Sequence, residues 1–229
     1  MDAGGQIHEL LGLRQNAVAI RFQQTPPEGM PRIGDKQVAG CRYWKLAAEG
    51  ESFYTEAADH YGCPVGSHTH GIDLPEQVAG ELEGVIGTMV ELEYVAMEEI
   101  PRIPQLAGTF GVAIYAPLAE AEFEPDVVLV SGTARQIMLL VEAASSAGVA
   151  GDGSMVGRPT CAAIPAVIES QATATNLGCI GNRVYTELKD DEFYFVIAGA
   201  KLDQVREKLV TIMEANRALE EYHHARLSG

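Results

Sequence analysis

The chain has 229 residues, of which 47% are hydrophobic and 21% charged, so it can bury a substantial core without crosslinks. Acidic residues outnumber basic residues 32 to 16, and the formal charge of −16 repels the phosphate backbone that a nucleic-acid-binding protein must neutralise. The composition predicts a globular protein and argues against general nucleic-acid binding.

The first part of the chain alternates helical and extended patterns. In chain order the apolar spacing predicts a helix, a strand, a helix, a strand and an antiparallel pair of helices separated near Gly87. These elements span 6–13, 17–22, 41–48, 52–55 and 74–99. We expect the helical pair to pack on the sheet.

The rest of the chain contains four more strand patterns and three helical ones. The predicted strands are 111–117, 126–131, 171–175 and 192–197, and the helices are 134–147, 160–169 and 202–224, with a glycine-rich connector at 148–157. This alternation predicts an α/β or α+β fold with a mixed sheet flanked by helices. We expect a single domain over 1–229, made of two interlocked halves at about 6–105 and 106–229.

The sequence also bears on location and partners. Residues 1–13 lack both a basic start and an uninterrupted apolar run, and no segment has the roughly 20 apolar residues that cross a bilayer. We therefore expect a cytoplasmic protein with no membrane partner. The apolar stripe of the closing helix suits either the core or a homodimer.

The four cysteines are placed in two similar intervals. Cys41 and Cys63 are separated by 21 residues and Cys161 and Cys179 by 17, and each interval reads cysteine, small-residue helix, short strand, glycine, cysteine. This pattern indicates either a diverged internal duplication or a coincidence. If the halves are related by a pseudo-twofold axis, the four cysteines can meet at one place.

The charges near the cysteines are unusual for so acidic a chain. Within four positions of a cysteine lie Arg42, Lys45, Arg158 and Arg183 but a single acid, Asp59. Nearby cations stabilise ionised sulfur, so this balance suits thiolates, an anionic cluster or an anionic ligand. In a reducing compartment the cysteines are expected to be free, metal-bound or reactive. Because no pair has a compact metal-ligand spacing, buried structural cysteines are the competing interpretation.

Several strings of the sequence resemble the DUF169 family, an uncharacterised archaeal and bacterial family. They are Gly12-Leu13, Ala17-Val18-Ala19, Pro27-Glu28-Gly29, Cys63-Pro64, Leu177-Gly178-Cys179 and, most specifically, Phe123-Glu124-Pro125-Asp126-Val127-Val128-Leu129. The resemblance covers about residues 6–210. It implies that all four cysteines fall where the family pattern has cysteine. The chain departs from that pattern at Ser67-His68-Thr69-His70.

These observations predict an iron–sulfur protein with a role in electron transfer, redox sensing or cofactor handling, working with a redox partner protein. The expected ligands of a [4Fe-4S] cluster are Cys41, Cys63, Cys161 and Cys179. Arg42, Trp44 and Arg183 are expected to contact the bound group, with both arginines pointing toward it. We expect Cys41 and Cys161 at helix starts, where the helix dipole favours thiolates.

Two alternative sites use some of the same residues. Zinc can bind the same four thiolates, and haem, another tetrapyrrole or a different small ligand can bind near Cys63, His68 and His70. A simpler interpretation of the two histidines is an exposed surface loop. The sequence has no nucleophile elbow, kinase signature or zinc-protease helix, so it does not decide whether the protein is an enzyme.

Overall fold

The apolar runs of the chain form one seven-stranded sheet in a computed structural model that describes residues 3–151 and 155–228. The strands are β1 (Val18–Gln23), β2 (Phe53–Glu56), β3 (Val112–Pro117), β4 (Val127–Thr133), β5 (Met155–Val156), β6 (Thr173–Asn176) and β7 (Glu192–Ala198). Their order across the sheet is β2-β3-β1-β4-β7-β6-β5. Neighbouring strands are antiparallel except β5 and β6, so the sheet is mixed, as predicted.

Helices cover both faces of this sheet. They are α1 (Ala3–Leu11), α2 (Cys41–Ala48), α3 (Ala57–His60), α4 (Pro64–Thr69), α5 (Glu76–Glu91), α6 (Ala134–Ser146), α7 (Ala163–Ser170), α8 (Ile180–Thr186) and α9 (Leu202–Leu227). One core lies between the sheet and α1, α6 and α9, and the other lies between the sheet and α2 and α7. Because β4 is covered on both faces, its apolar run is nearly continuous.

Apart from the extra edge strand β5, the sheet order reads the same outward from the β1–β4 pair in both directions. The pairs β1 and β4, β3 and β7, and β2 and β6 occupy equivalent places on either side of the central antiparallel pair. This arrangement has the form of two units related by a pseudo-twofold axis between β1 and β4. A division by topology falls after Pro117 rather than near residue 105, because β3 pairs with β1 and β2.

The predicted α/β fold is confirmed, and each predicted strand is present within a few residues of its expected bounds. The two-residue strand β5 was not predicted. Within the predicted glycine-rich connector, residues 152–154 lie outside the described residues. Among the described helices none is long and apolar enough to cross a membrane.

The prediction of two antiparallel helices over 74–99 is wrong. The segment forms one helix, α5, which continues through Gly87 and is followed by turns from Leu92 onward. A glycine costs an exposed helix about 1 kcal/mol, which is too little to end it. Helix α5 buries no residue, and the element it mainly contacts is α4. Its apolar side chains therefore belong to a different part of the structure, described below.

The core between the sheet and α6 provides a stability prediction. Leu140 is 0% exposed and Met138, on the same helix, is 41% exposed. We expect Leu140→Ala to lower the free energy of unfolding by about 2–5 kcal/mol, because it leaves a cavity in a packed core. The matched change Met138→Ala should lower it by less than about 1 kcal/mol. Urea unfolding followed by circular dichroism measures both, and equal losses would contradict the assignment of α6 to the core.

Candidate functional site

Two cysteines from each half of the chain line one cavity. Cys41, Cys63, Cys161 and Cys179 are all free thiols, and all lie on the wall of a cavity of about 710 Å³. We call this space the cysteine cavity. The structure thus brings together the four residues that the sequence singled out. The pseudo-twofold order of the sheet explains the meeting, since the cysteine-bearing segments precede equivalent strands.

Each cysteine lies at or near the start of a helix. Cys41 is the first residue of α2, and Cys63 and Cys179 are the N-cap residues of α4 and α8. Cys161 lies in the 3₁₀ turn Thr160–Ala162 that leads into α7. The unpaired N–H groups at helix starts favour nearby negative charge, and thus ionised sulfur. Before Cys179 the chain turns at Gly178, whose φ of +77° favours glycine.

Burial keeps two of the thiols neutral. It raises the pKa of Cys41 to about 12, and nearby ionised Cys63 and Cys179 add to this increase, while the Asn182 side chain opposes it. Burial also raises the pKa of Cys161, with a smaller opposing effect from Thr69. The four sulfurs therefore repel one another when they are ionised. A cationic group between them would remove this repulsion and release their protons.

The thiols are not arranged around a single point. Among residues 3–151 and 155–228, no group of three or more His, Cys, Asp or Glu side chains is arranged to hold a metal ion. The four cysteines instead lie on the wall of the cysteine cavity.

The two histidines of α4 occupy different environments. His68 is exposed and His70 is only 1% exposed, although both line the cysteine cavity. The surface-loop interpretation is therefore wrong for His70, which helix α4 turns inward. Burial lowers the pKa of His70 to about 4. Its Nε2 lies 3.3 Å from the carbonyl oxygen of Cys161, and a carbonyl only accepts, so Nε2 carries the proton. The Nδ1 atom, which has no partner, then presents a lone pair.

Two further buried side chains on the cavity wall have unpaired polar atoms. Trp44 lies edge-on to Tyr194 at 6.0 Å, and its indole N–H has no hydrogen-bond partner. Trp44 thus lies on the same cavity wall as the four cysteines, and its contact with a bound group remains a prediction. Asn182 is 3% exposed, and its amide nitrogen and oxygen make no hydrogen bond of normal geometry, although the side chain lies near enough to Cys41 to favour its thiolate. Asn182 was not predicted from the sequence as a site residue. Its position in the first turn of α8, which begins directly after Cys179, could have identified it.

The expectation that Arg42 and Arg183 point toward the cysteines is wrong. Arg183 donates to the carbonyl oxygens of Leu177 at 2.6 Å, Lys189 at 2.9 Å and Glu192 at 3.1 Å. Arg42 donates to Gln37 Oε1 at 2.9 Å and to the Tyr185 carbonyl at 3.3 Å. A guanidinium group has five donors, and here the donors pair with backbone or amide oxygens of the surrounding loops. Neither arginine lines the cysteine cavity.

Different charged residues lie at the mouth of the cavity. We call His68, Glu99, Arg102 and Arg158 the rim. Arg158 lies 3.3 Å from Glu99 Oε2, and its guanidinium carbon is 5.0 Å from the centre of the Tyr94 ring. The backbone N–H of Ala96 and the two arginines lower the pKa of Glu99, so this carboxyl is ionised at neutral pH. The rim thus holds two guanidinium groups and one carboxylate.

Comparison with known proteins agrees with the resemblance found in the sequence. The model of the DUF169 family, described as Uncharacterised ArCR, matches residues 6–208. An uncharacterised protein of Methanocaldococcus jannaschii is 25% identical over 213 residues, which cover 89% of this chain and 91% of that protein. No solved structure matches the chain. Since the family match extends over most of the sequence, the chain belongs to the DUF169 family.

Proposed function

We propose that this protein binds one [4Fe-4S] cluster through Cys41, Cys63, Cys161 and Cys179 and works in electron transfer, redox sensing or cofactor handling. The single observation that carries this proposal is the presence of all four thiols on the wall of one cavity. Iron–sulfur clusters commonly take four cysteine thiolates, and the chain contains four cysteines in total.

A cluster and a zinc ion require different distances between their sulfur ligands. One zinc ion with bonds of roughly 2.3 Å draws its sulfur ligands to about 4 Å from each other. A four-iron cluster holds its cysteine sulfurs about 6–7 Å apart. Among the described residues no three such side chains form a compact metal-ion site, and this argues against the narrower spacing that zinc requires.

The unpaired polar atoms around the cysteines also fit a bound cluster. A buried donor or acceptor without a partner costs about 1–3 kcal/mol, so these atoms are expected to pair with a bound group. The Trp44 indole and the Asn182 amide can donate to sulfur atoms, and such hydrogen bonds adjust the reduction potential of a cluster. A cluster, when bound, supplies one-electron chemistry. The residues of this chain would hold it, exclude water from it and stabilise its charge.

The proposal includes a setting and a partner. Four free thiols persist in a reducing compartment, so we propose a cytoplasmic location. Electron transfer requires a redox partner protein, and a homodimer remains a prediction. Val205 and Leu209 of α9 are buried in the core of the single chain, whereas Leu219 on the same helix is exposed.

Metal and acid-labile sulfide analysis of anaerobically purified protein tests this proposal. We expect about four iron and four sulfide per chain and a broad absorbance near roughly 400 nm that fades on exposure to air. A colourless protein that contains zinc would contradict the proposal in favour of the zinc alternative. Sharp Soret-type bands would contradict it in favour of a tetrapyrrole bound near Cys63, His68 and His70.

A further inference from the structure

The cysteine cavity extends well beyond the four thiols. Its volume of about 710 Å³ lies in the range of roughly 300–1,000 Å³ that is usual for sites of small organic molecules. A cluster needs only the space between four sulfurs about 6–7 Å apart. The wall also includes side chains of α5 and of the segment that follows it, so the cavity has room for another occupant.

One part of the cavity wall is formed by apolar side chains of α5 and of the segment after it, and we call this part the roof. The roof consists of Leu82, Ile86 and Met89 of α5 together with Val95, Ile100 and Ile103. The three α5 residues recur at intervals of four and three, which places them on one face of the helix. A surface helix normally packs such a stripe against a core, yet α5 buries no residue. An occupant with an apolar body would cover this stripe.

The charges of the rim favour an anionic ligand. Arg102 and Arg158 face one carboxylate, Glu99, while His68 is exposed and the remaining titratable residues of the mouth are Tyr94 and Tyr185. The rim is therefore net positive in a chain whose formal charge is −16. Guanidinium groups match carboxylates with two parallel hydrogen bonds.

From these features we infer that the cysteine cavity binds a small organic carboxylate, with its apolar body under the roof and its carboxylate at Arg102 and Arg158. A second protein copy is a poorer occupant, because the site is a cavity with unpaired polar atoms on its wall rather than a flat apolar face. This inference goes beyond the proposed cluster and adds an organic ligand to the same site.

Calorimetric titration of anaerobically purified full-length protein with octanoate tests the inference. Titrations with octanol and octylammonium test the role of charge. We expect octanoate to bind about tenfold more tightly than octanol, and octylammonium to bind most weakly. Arg102→Gln together with Arg158→Gln should remove the advantage of octanoate over octanol. Tighter binding of octylammonium, or no binding of octanoate, would overturn the inference.

A matched pair of α5 variants locates the ligand. Ile86 lines the cavity, whereas its neighbour Val85 is 36% exposed and does not. Ile86→Glu should weaken octanoate binding by about tenfold or more, since it places a carboxylate under the apolar roof, and Val85→Glu should leave binding unchanged. Equal effects of the two variants would overturn the assignment. Iron and sulfide are measured in the same samples. Protein that holds a cluster but does not bind octanoate contradicts only this inference. Protein that binds octanoate but holds no iron or sulfide contradicts only the proposed cluster.

Discussion

Replacing Cys161 by alanine is expected to reduce bound iron from about four to less than one per chain in anaerobically purified protein. The same loss is expected for Cys41→Ala, Cys63→Ala and Cys179→Ala, because each removes one of the four proposed ligands. A cluster lined by three thiolates and a methyl group is open to solvent attack and loses iron. Iron and sulfide analysis, with the absorbance near roughly 400 nm, measures the effect.

The control must separate ligand loss from damage to the fold. Ala39 is buried and lines the same cavity, so Ala39→Ser makes a small buried change of similar size without touching a thiol. It should keep the cluster. A cysteine that only fills space would cost about 1 kcal/mol of stability when replaced and would leave the iron content unchanged. Full iron and sulfide in any single cysteine variant would remove that residue from the ligand set and so contradict the four-cysteine cluster.

The stability of the protein toward urea is expected to fall steeply as the pH decreases below about 6.5. Burial lowers the pKa of His60 to about 3 and that of His70 to about 4. An unfolded histidine has a pKa near 6.5. Between these values the unfolded chain binds protons that the folded chain does not, so acid favours unfolding. Each histidine should reduce the free energy of unfolding by about 1.4 kcal/mol per pH unit, or about 2 kcal/mol at pH 5.

His60 is the better of the two for a direct test, because His70 lines the cysteine cavity and His60 is not among its lining residues. Its Nε2 lies 2.7 Å from Thr55 Oγ1, and its ring stacks near Tyr43 and Tyr115. His60→Gln removes the titrating group, so stability should depend less on pH by about 1.4 kcal/mol per unit between pH 5 and pH 6.5. The exposed His223 serves as control, and His223→Gln should leave the slope unchanged. Urea midpoints that do not vary over this pH range in the unaltered protein would contradict the prediction.

The sequence predicted the strands well because their signal is local. A run such as Val127–Val130 is apolar at every position, and only a strand covered on both faces buries such a run. The one large error in the fold, at 74–99, arose where local spacing is ambiguous. The spacing of apolar residues among acids fits one helix that continues through Gly87 as well as two helices separated there. Only the packing of the neighbouring segments decides between the two.

The residues of the candidate site also divide into those that the sequence predicted correctly and those that it did not. Two intervals with a shared order of cysteine, helix, strand, glycine and cysteine suggested that the cysteines occupy equivalent places in the fold, and all four line one cavity. The direction of a side chain is not encoded in this way. Arg42 and Arg183 lie beside cysteines in sequence, but they turn toward carbonyl oxygens that the loops leave unpaired.

By itself the sequence determined the class of fold, the family and the four thiols, since these depend on residue type and on spacing along the chain. Tertiary structure alone decided that His70 is buried and neutral, that Asn182 lies near the Cys41 thiol without a hydrogen bond of normal geometry, and that α5 covers the cavity. The physical reason is that burial, hydrogen-bond partners and local charge depend on segments far apart in the chain, such as α4 and the Cys161 turn. Their meeting is fixed by sheet order and not by any local pattern.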